Sequence, residues 1–448
     1  MNALSLLRAL MPERSPARLL WHRGKSFCAA LRYGFPARHL TIIGVTGTDG
    51  KTTTVSMIAH ILTGSGIRCG AVSTAFFRIG EDTTWNATQK TSPSPFLIQH
   101  LLRQLVSDGC THAVLECSSH GLVQHRMDWT WPRIAAITNT TPEHLDYHGT
   151  MEQYRLDKAL LFRMLRTNGA KILNLEDDSY DLLEAIPTKR TLSYGGTPLP
   201  DEDRGSEEFL WVSDVLAEPL STEALLHRIR RGPHASSEEE ASLVLQVPGL
   251  FNVENALCAI SVSCATGISV QTAAAALSSF TGVPGRMERI EGPQRFSVYV
   301  DFTVTPAAYE KTLSALRKIL PEGRRLLVLT GSCGDRMREK RPQIGRICST
   351  LADVVVVTNE DPYTEDPERI IDEVWAGISG AAQAHRISDR REAIQFILTQ
   401  AQPGDIVLLC GKGSDTTMMT AEGQIPWNER EITYGMLKSL PESGSEVT

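Results

Sequence analysis

TIIGVTGTDGKTTT, residues 41–54, runs from β-forming residues through two glycines into a lysine and three threonines. A strand that ends in a glycine loop and opens a helix can aim backbone N–H groups and a helix N-terminus at phosphate. Gly47 and Gly50 let the backbone approach the anion, with Thr48 and Asp49 between them. Lys51 suits the β/γ-phosphates of a nucleoside triphosphate, Thr52 offers its hydroxyl to Mg2+, and Thr53 continues the helical turn. The spacing departs from the strict G-x-x-x-x-G-K-S/T template, which would put glycine at Val45.

Outward from this loop, short β-rich runs alternate with amphipathic stretches. CGAVST, HAVLEC and RIAAIT read as strands, with helices from Lys51 and over 95–108. Such alternation predicts a mostly parallel sheet. Glu116 closes HAVLEC, at the strand end where open α/β sheets bind ligands, and suits the metal that a phosphate loop requires. Residues 176–245 turn polar and turn-rich, with strand-like FLWVSDV and SLVLQV between, and read as peripheral strands and loops. A second α/β block begins near Pro284, with VYVDF, RLLVLTG, DVVVVTN and DIVLLCG as strands and helices over 306–319 and 389–401. The expected fold is α/β: a short basic segment over 1–40, a central P-loop parallel-sheet domain over 41–284, and a Rossmann-like α/β domain over 285–448.

The chain has 448 residues, 42% hydrophobic and 22% charged, as in water-exposed globular proteins. No apolar run approaches the roughly 18 residues of a membrane span. Nine cysteines without one C-x-x-C pair argue against a zinc ribbon or disulfide framework, and no leader pattern opens the chain. A cytoplasmic protein is expected, with no nucleic-acid partner. Net charge is −7, yet residues 1–40 hold seven Lys/Arg (Arg8, Arg14, Arg18, Arg23, Lys25, Arg32, Arg38) against Glu13 alone, so the remainder is −13. With Leu4, Leu6, Leu7 and Leu10, this opening fits either peripheral contact with an anionic membrane or a solvated helix packed by its leucines.

The longer text resembles the Mur ligase family, above all its muramyl tripeptide synthetases. LECSSHGLVQHRM, TNTTPEHLDYHGTMEQYRLDKALLF, GLFNVENALCA, GVPGRMERI, GDRMREKRP and NEDPYTEDP occur in that family's order, and the likeness runs from about Thr41 to Glu431. The phosphate loop matches the family's G-T-x-G-K-S/T-T variant. The resemblance implies an ATP-dependent ligase of a single chain with two Mg2+ ions, and a CO2-derived carbamate on Lys158, fourteen residues after His144. It implies metal contacts by Thr52, Glu116, His144 and carbamylated Lys158, adenine contact by Asn252, and ATP-side roles for Arg286 and Asp301. It further implies that Thr91, Ser92, Ser118, Gln124 and Arg126 hold a muramyl-peptide acceptor. The acceptor carboxylate would take the γ-phosphoryl group, and an amino acid's amine would displace phosphate from the acyl phosphate.

Four places depart from the family pattern. Only 40 residues precede the first strand where relatives carry a uridine-diphosphate-gripping domain of about a hundred, so a lipid-linked acceptor stays open. DFTVTP puts Val304 where the family has histidine. Glu360-Asp361-Pro362-Tyr363 stands for D-N-P-R, losing the arginine that grips diaminopimelate, and Gly411-Lys412-Gly413-Ser414-Asp415 stands for G-K-G-H-E. Asp361, Tyr363, Gly411 and Asp415 remain the candidates for the incoming amino acid, which is expected not to be diaminopimelate, with lysine or another amine left open. Ligases of folate or cyanophycin type, and an ATP-binding scaffold without turnover, are the alternatives.

Overall fold

The structure is a computed structural model that describes residues 12–80, 82–88, 90–197, 207–218, 221–231, 236–380 and 382–439. Arg8, Leu4, Leu6, Leu7 and Leu10 lie outside the described residues. Two compact units divide the chain: one runs to Leu216 and takes in Glu223–Leu245 and Asn252–Phe280, and the other holds Ala217–Thr222, Gln246–Phe251 and everything from Thr281 onward.

The first unit opens with α1 (Pro16–Arg32), which starts on proline and has Ser15 at its N-cap, and a 3-10 turn at Pro36–His39. An eleven-stranded sheet follows in the order β11-β10-β9-β8-β7-β6-β1-β5-β2-β3-β4. Its centre is β1 (Thr41–Thr46), paired in parallel with β5 (His112–Glu116) on one side and β6 (Ile134–Ile137) on the other. β2 (Cys69–Val72) extends the parallel part beyond β5, while β3 (Phe76–Ile79) and β4 (Asp82–Trp85) finish that edge antiparallel. On the other flank, β7 (Ala170–Asn174) and β8 (Arg190–Tyr194) run parallel and lead to the long strands β9 (Glu208–Ala217), β10 (Thr222–Arg231) and β11 (Ser236–Leu245). The polar stretch read as peripheral thus adds strands to the same sheet.

Burial of both faces explains why the central strands read as unbroken apolar runs. Ile42, Ile43 and Val45 of β1 are fully buried, as are Ala113 and Val114 of β5. Three helices cover this part of the sheet: α2 (Lys51–Gly64) and α3 (Pro95–Ser107), capped by the Ser94 side chain, stand in the expected places, and α6 (Met151–Arg163), capped by Thr150, lies further along. Two short helices, α4 (Ser119–Val123) and α5 (Leu145–His148), lie between them in sequence.

The second unit has a six-stranded sheet in the order β12-β13-β17-β14-β15-β16, in which β16 is Gln383–Arg386. All its pairings are parallel except β12 (Glu288–Arg289) with β13 (Ser297–Asp301). Val298 and Val300 of β13 pack with Leu327 and Leu329 of β14 (Leu326–Thr330) in one core layer, while Tyr299 and Val328 pack in the other. The period-2 alternation therefore feeds two apolar cores, one on each face. β15 (Val354–Val357) and β17 (Ile406–Cys410) end beside β13 and β14, so the loops after all four collect at one edge of the sheet. A buried ion pair locks that edge: Arg390 donates to Glu429 through Nε (2.8 Å) and Nη2 (2.5 Å) and to the Cys410 carbonyl (2.6 Å).

All nine cysteines are free and seven of them are buried. Among the described residues no helix is long and apolar enough to cross a membrane.

Candidate active site

The loop between β1 and α2 depends on its two glycines. Gly47 has φ 147° and Gly50 φ 80°, backbone that side chains other than hydrogen adopt rarely. A β-carbon on Gly47 would fall 1.8 Å from Thr138 Oγ1, and one on Gly50 would fall 2.1 Å from Asn255 Oδ1. Residues just after β6 and from helix Leu250–Ala265 thus crowd a cradle of bare backbone. For Gly50→Ala we expect a loss of about 1–3 kcal/mol, combining left-handed strain with displacement of Asn255. Thermal unfolding would check this; an unchanged midpoint would contradict it.

Hydrogen bonds fix which loop donors remain for an anion. Thr48 N–H donates to the Asn139 carbonyl (2.8 Å) and Asp49 N–H to Asn139 Oδ1 (3.0 Å). The Thr138 hydroxyl donates to the Asp49 carbonyl (2.6 Å), and Thr141 N–H to Thr48 Oγ1 (3.0 Å). The first helical bond runs from Thr54 N–H to the Gly50 carbonyl (2.9 Å), so the N–H groups of Lys51, Thr52 and Thr53 have no acceptor within the helix. The N–H groups of Thr48 and Asp49 hold the loop to Asn139, so within this loop those of Lys51, Thr52 and Thr53 are the ones without a helical acceptor.

Glu116 sits buried where β5 ends and accepts from three donors. The Thr52 hydroxyl lies 3.1 and 3.2 Å from its two oxygens, Thr74 N–H 2.7 Å from Oε2, and the Thr74 hydroxyl 2.8 Å from Oε1. Thr91 joins the group, its hydroxyl oxygen 3.0 Å from that of Thr74. Sequence reading missed Thr74, which stands alone after β2 without a motif to mark it.

Lys158, on α6, is 1% exposed, and its Nζ donates to the Gly47 carbonyl at 2.6 Å and lies 4.2 Å from the centre of the Tyr154 ring. The carbonyl and ring favour an ammonium, but burial, followed by repulsion from Lys51, pushes the lysine well below its ordinary range. Lys51 folds back so that its Nζ donates to the Thr48 carbonyl at 2.5 Å. His144 has left-handed backbone (φ 54°), and its ring lies 4.8 Å from that of His120 and 3.5 Å from a Glu143 oxygen. Desolvation by its surroundings, and then Lys51, lower its pKa to about 4, on a side chain 48% exposed.

A second network surrounds the predicted acceptor residues. Ser118 caps α4, its hydroxyl accepting from Gly121 N–H (3.0 Å), while its own N–H donates to Ser92 Oγ (2.9 Å). Arg126 donates to the Ser92 carbonyl and to Gln124 Oε1, both at 2.6 Å. Sequence reading missed a chain behind these groups. Arg14 grips Asp157 bidentately (2.7 and 2.8 Å), Asp157 meets His148 Nδ1 (2.6 Å), and His148 Nε2 meets Ser119 Oγ (3.0 Å). Asp157 directly precedes Lys158 in the chain. Asn252 accepts from Asn255 Nδ2 at 3.3 Å, which places it one turn from the Gly50 contact.

In the second unit, Lys412 is fully buried and donates to both Asp361 oxygens (2.7 and 2.8 Å) and to Asp415 (3.2 Å). Burial pulls the lysine down, but Asp415 and Asp361 more than offset this and its pKa rises. Glu360, pushed up by burial, accepts from the Cys333 thiol at 2.9 Å. Gly411, φ 103°, presents bare backbone to it: a β-carbon there would lie 2.3 Å from Glu360 Oε2. Tyr363 takes left-handed backbone (φ 51°), with the Arg336 guanidinium 5.4 Å from its ring centre. Asp301 accepts from Met287 N–H (2.7 Å) and the Thr303 hydroxyl. Arg286 lies 4.3 Å over the Phe302 ring, and Lys340 Nζ donates to the Val304 carbonyl at 3.1 Å. The reading passed over Lys412, although the lysine between two loop glycines was in its quoted motif.

The oxygen donors around the loop suit a hard divalent ion. Thr52 and Glu116 supply a hydroxyl and a carboxylate beside the cradle, and Mg2+ takes few protein ligands with phosphate oxygens and water completing the shell.

The Mur ligase middle domain model matches residues 45–263, and the Mur ligase glutamate ligase domain model matches residues 285–413. A UDP-N-acetylmuramyl-tripeptide synthetase of Roseiflexus sp. is 38% identical over 425 residues, covering 93% of this chain and 82% of that one. A UDP-N-acetylmuramoyl-L-alanyl-D-glutamate--2,6-diaminopimelate ligase of Nostoc sp. is 37% identical over 415 residues, covering 90% and 79%. A solved diaminopimelate ligase of the same title superposes with TM-score 0.59 at 30% identity, over 89% of this chain and 78% of that one. MurF from Acinetobacter baumannii, 18% identical with TM-score 0.62, shares the fold.

Proposed function

The chain belongs to the Mur ligase family, and from that premise we propose that it joins an amino acid to the free carboxylate of a muramyl-peptide precursor of peptidoglycan, using ATP. The observation that carries this reading is the meeting of three parts at one loop. Bare backbone lies at Gly47 and Gly50, the Thr52–Glu116 pair lies beside it, and buried Lys158 lies against the Gly47 carbonyl.

In the first step an acceptor carboxylate oxygen bonds to the γ-phosphorus as the bond to ADP breaks. In the second the amine nitrogen bonds to the acyl carbon, phosphate leaves, and the nitrogen gives up its proton. Repulsion between carboxylate and triphosphate is the main barrier the residues must lower. Lys51 and the N–H groups of Lys51, Thr52 and Thr53 offset phosphate charge, and Arg126, held side-on by Ser92 and Gln124, orients the acceptor. Asn252 contacts the adenine in this reading. Bound Mg2+ would neutralise charge between the phosphates, held by Thr52, Glu116, His144 and Lys158 as its carbamate. The carbamate forms when the neutral amine bonds to CO2 and releases one proton, so a lysine held neutral by burial is the right precursor. The basic N-terminal region completes the reading as a peripheral contact with a membrane surface.

Asp361, Asp415, Tyr363 and Gly411 line the loops at one edge of the second sheet and are assigned to the amino acid. The relatives' names put diaminopimelate on the test panel, and Tyr363, with no guanidinium, puts lysine beside it. With ATP, Mg2+ and UDP-linked muramyl dipeptide, we expect phosphate release that requires one amino acid of the panel. Absence of such release with both UDP-linked and lipid-linked acceptors overturns the ligase reading.

A further inference from the structure

Eleven large apolar residues stand strongly exposed among the described residues, and four of them lie on the 17-residue α1: Leu20 (71%), Trp21 (50%), Phe27 (42%) and Leu31 (59%). At about 100° per residue, Leu20, Phe27 and Leu31 fall within about 40° of one another, and Trp21 borders them. The helix buries its opposite side, through Ser26, Ala29 and Ala30. An amphipathic helix in a globular protein ordinarily turns its large apolar residues inward. Here small residues and Leu19 make the inner face, while the other large apolar residues named face outward.

The charges beside this stripe identify its partner. On the same wheel Arg23 lies just past Phe27, while Arg32 and Lys25 lie just past Trp21, so cations border both sides. No acidic residue occurs within Pro16–Arg32. We infer that α1 docks on an anionic bilayer surface, with Leu20, Phe27 and Leu31 in the acyl boundary and the flanking cations on lipid phosphates. Tryptophan at the stripe's border suits the headgroup level, and Arg and Lys stems extend along apolar surface to reach it. A second copy of the chain fits worse: a two-fold contact through this face would set cations against the same cations with no acid between them. The inference rests on the peripheral-contact part of the reading above.

The test is sedimentation of the full chain with vesicles of equal phosphatidylglycerol and phosphatidylcholine, and with phosphatidylcholine alone. We expect partition favouring the anionic vesicles by about 10-fold at low salt, weakening as salt rises. Leu20→Glu with Leu31→Glu removes only exposed groups, and should lower that partition by about 10-fold or more while phosphate release in solution stays at the parent rate. Arg23→Glu with Lys25→Glu should erase the preference for anionic lipid. Equal partition of the parent and the Leu20→Glu, Leu31→Glu variant overturns the inference. So does a parent that forms dimers, free of vesicles, which that double variant dissolves. Loss of ligase activity in every sample, with partition intact, would instead count against the proposed reaction alone.

Discussion

Lys158→Ala is expected to lower turnover by about 10³-fold, the scale of losing a charge-stabilising group in a water-poor site. Formate or acetate should restore part of it, since a small carboxylate can occupy the space of the missing carbamate. Unchanged turnover in the variant, or no rescue by any short carboxylate, would remove the carbamate from the proposal. Acid should act in the same direction, because protonating the carbamate expels CO2 and leaves the bare amine, which further acid protonates.

Stability separates this from a structural role. The folded pKa of Lys158 is depressed, so between that value and the ordinary lysine value the unfolded chain binds one more proton than the native one. Stability contributed by this group therefore rises with pH through that window and is a cost at neutral pH. Lys158→Met keeps the stem and drops the charge, and should unfold at the parent's temperature or above while remaining inactive. A marked fall in its unfolding temperature would mean that the lysine serves the fold.

Glu116→Gln should lower kcat by about 10²–10³-fold and raise the Mg2+ concentration needed for half-maximal rate. The amide keeps one acceptor oxygen for Thr74, and threonine hydroxyls can reverse to accept, so folding should survive. The Mg2+ dependence is the decisive readout. A variant with lower kcat but the parent's Mg2+ requirement would limit Glu116 to positioning Thr52 and Thr74.

Much of the fold was legible because parallel strands buried on both faces must be continuous apolar runs. TIIGV, HAVLEC, RIAAIT and RLLVLTG each became a strand where expected. The short strands Gln383–Arg386, Thr417–Thr420 and Gly423–Pro426 were not legible, since half-exposed edge segments carry no apolar signature. At the site, Gly47, Gly50, Thr52 and Glu116 could be read because local chemistry marks them. Asn255, Thr74 and Asn139 could not: each matters through a contact with a residue far along the chain, and nothing in its own neighbourhood announces it. The Arg14–Asp157–His148 chain was hidden for the same reason, 143 residues separating its first pair.

The crowding of Gly50 by Asn255 also orders events during synthesis. β1 can pair on both sides only after β6 ends at Ile137, and the loop's last neighbour leaves the ribosome more than a hundred residues later. At about 5–20 residues per second, the nascent chain spends about 6–24 s with its phosphate loop made but incompletely walled. On the proposed reading, bound nucleotide would stabilise the finished unit but would have little to grip while that unit is still being translated.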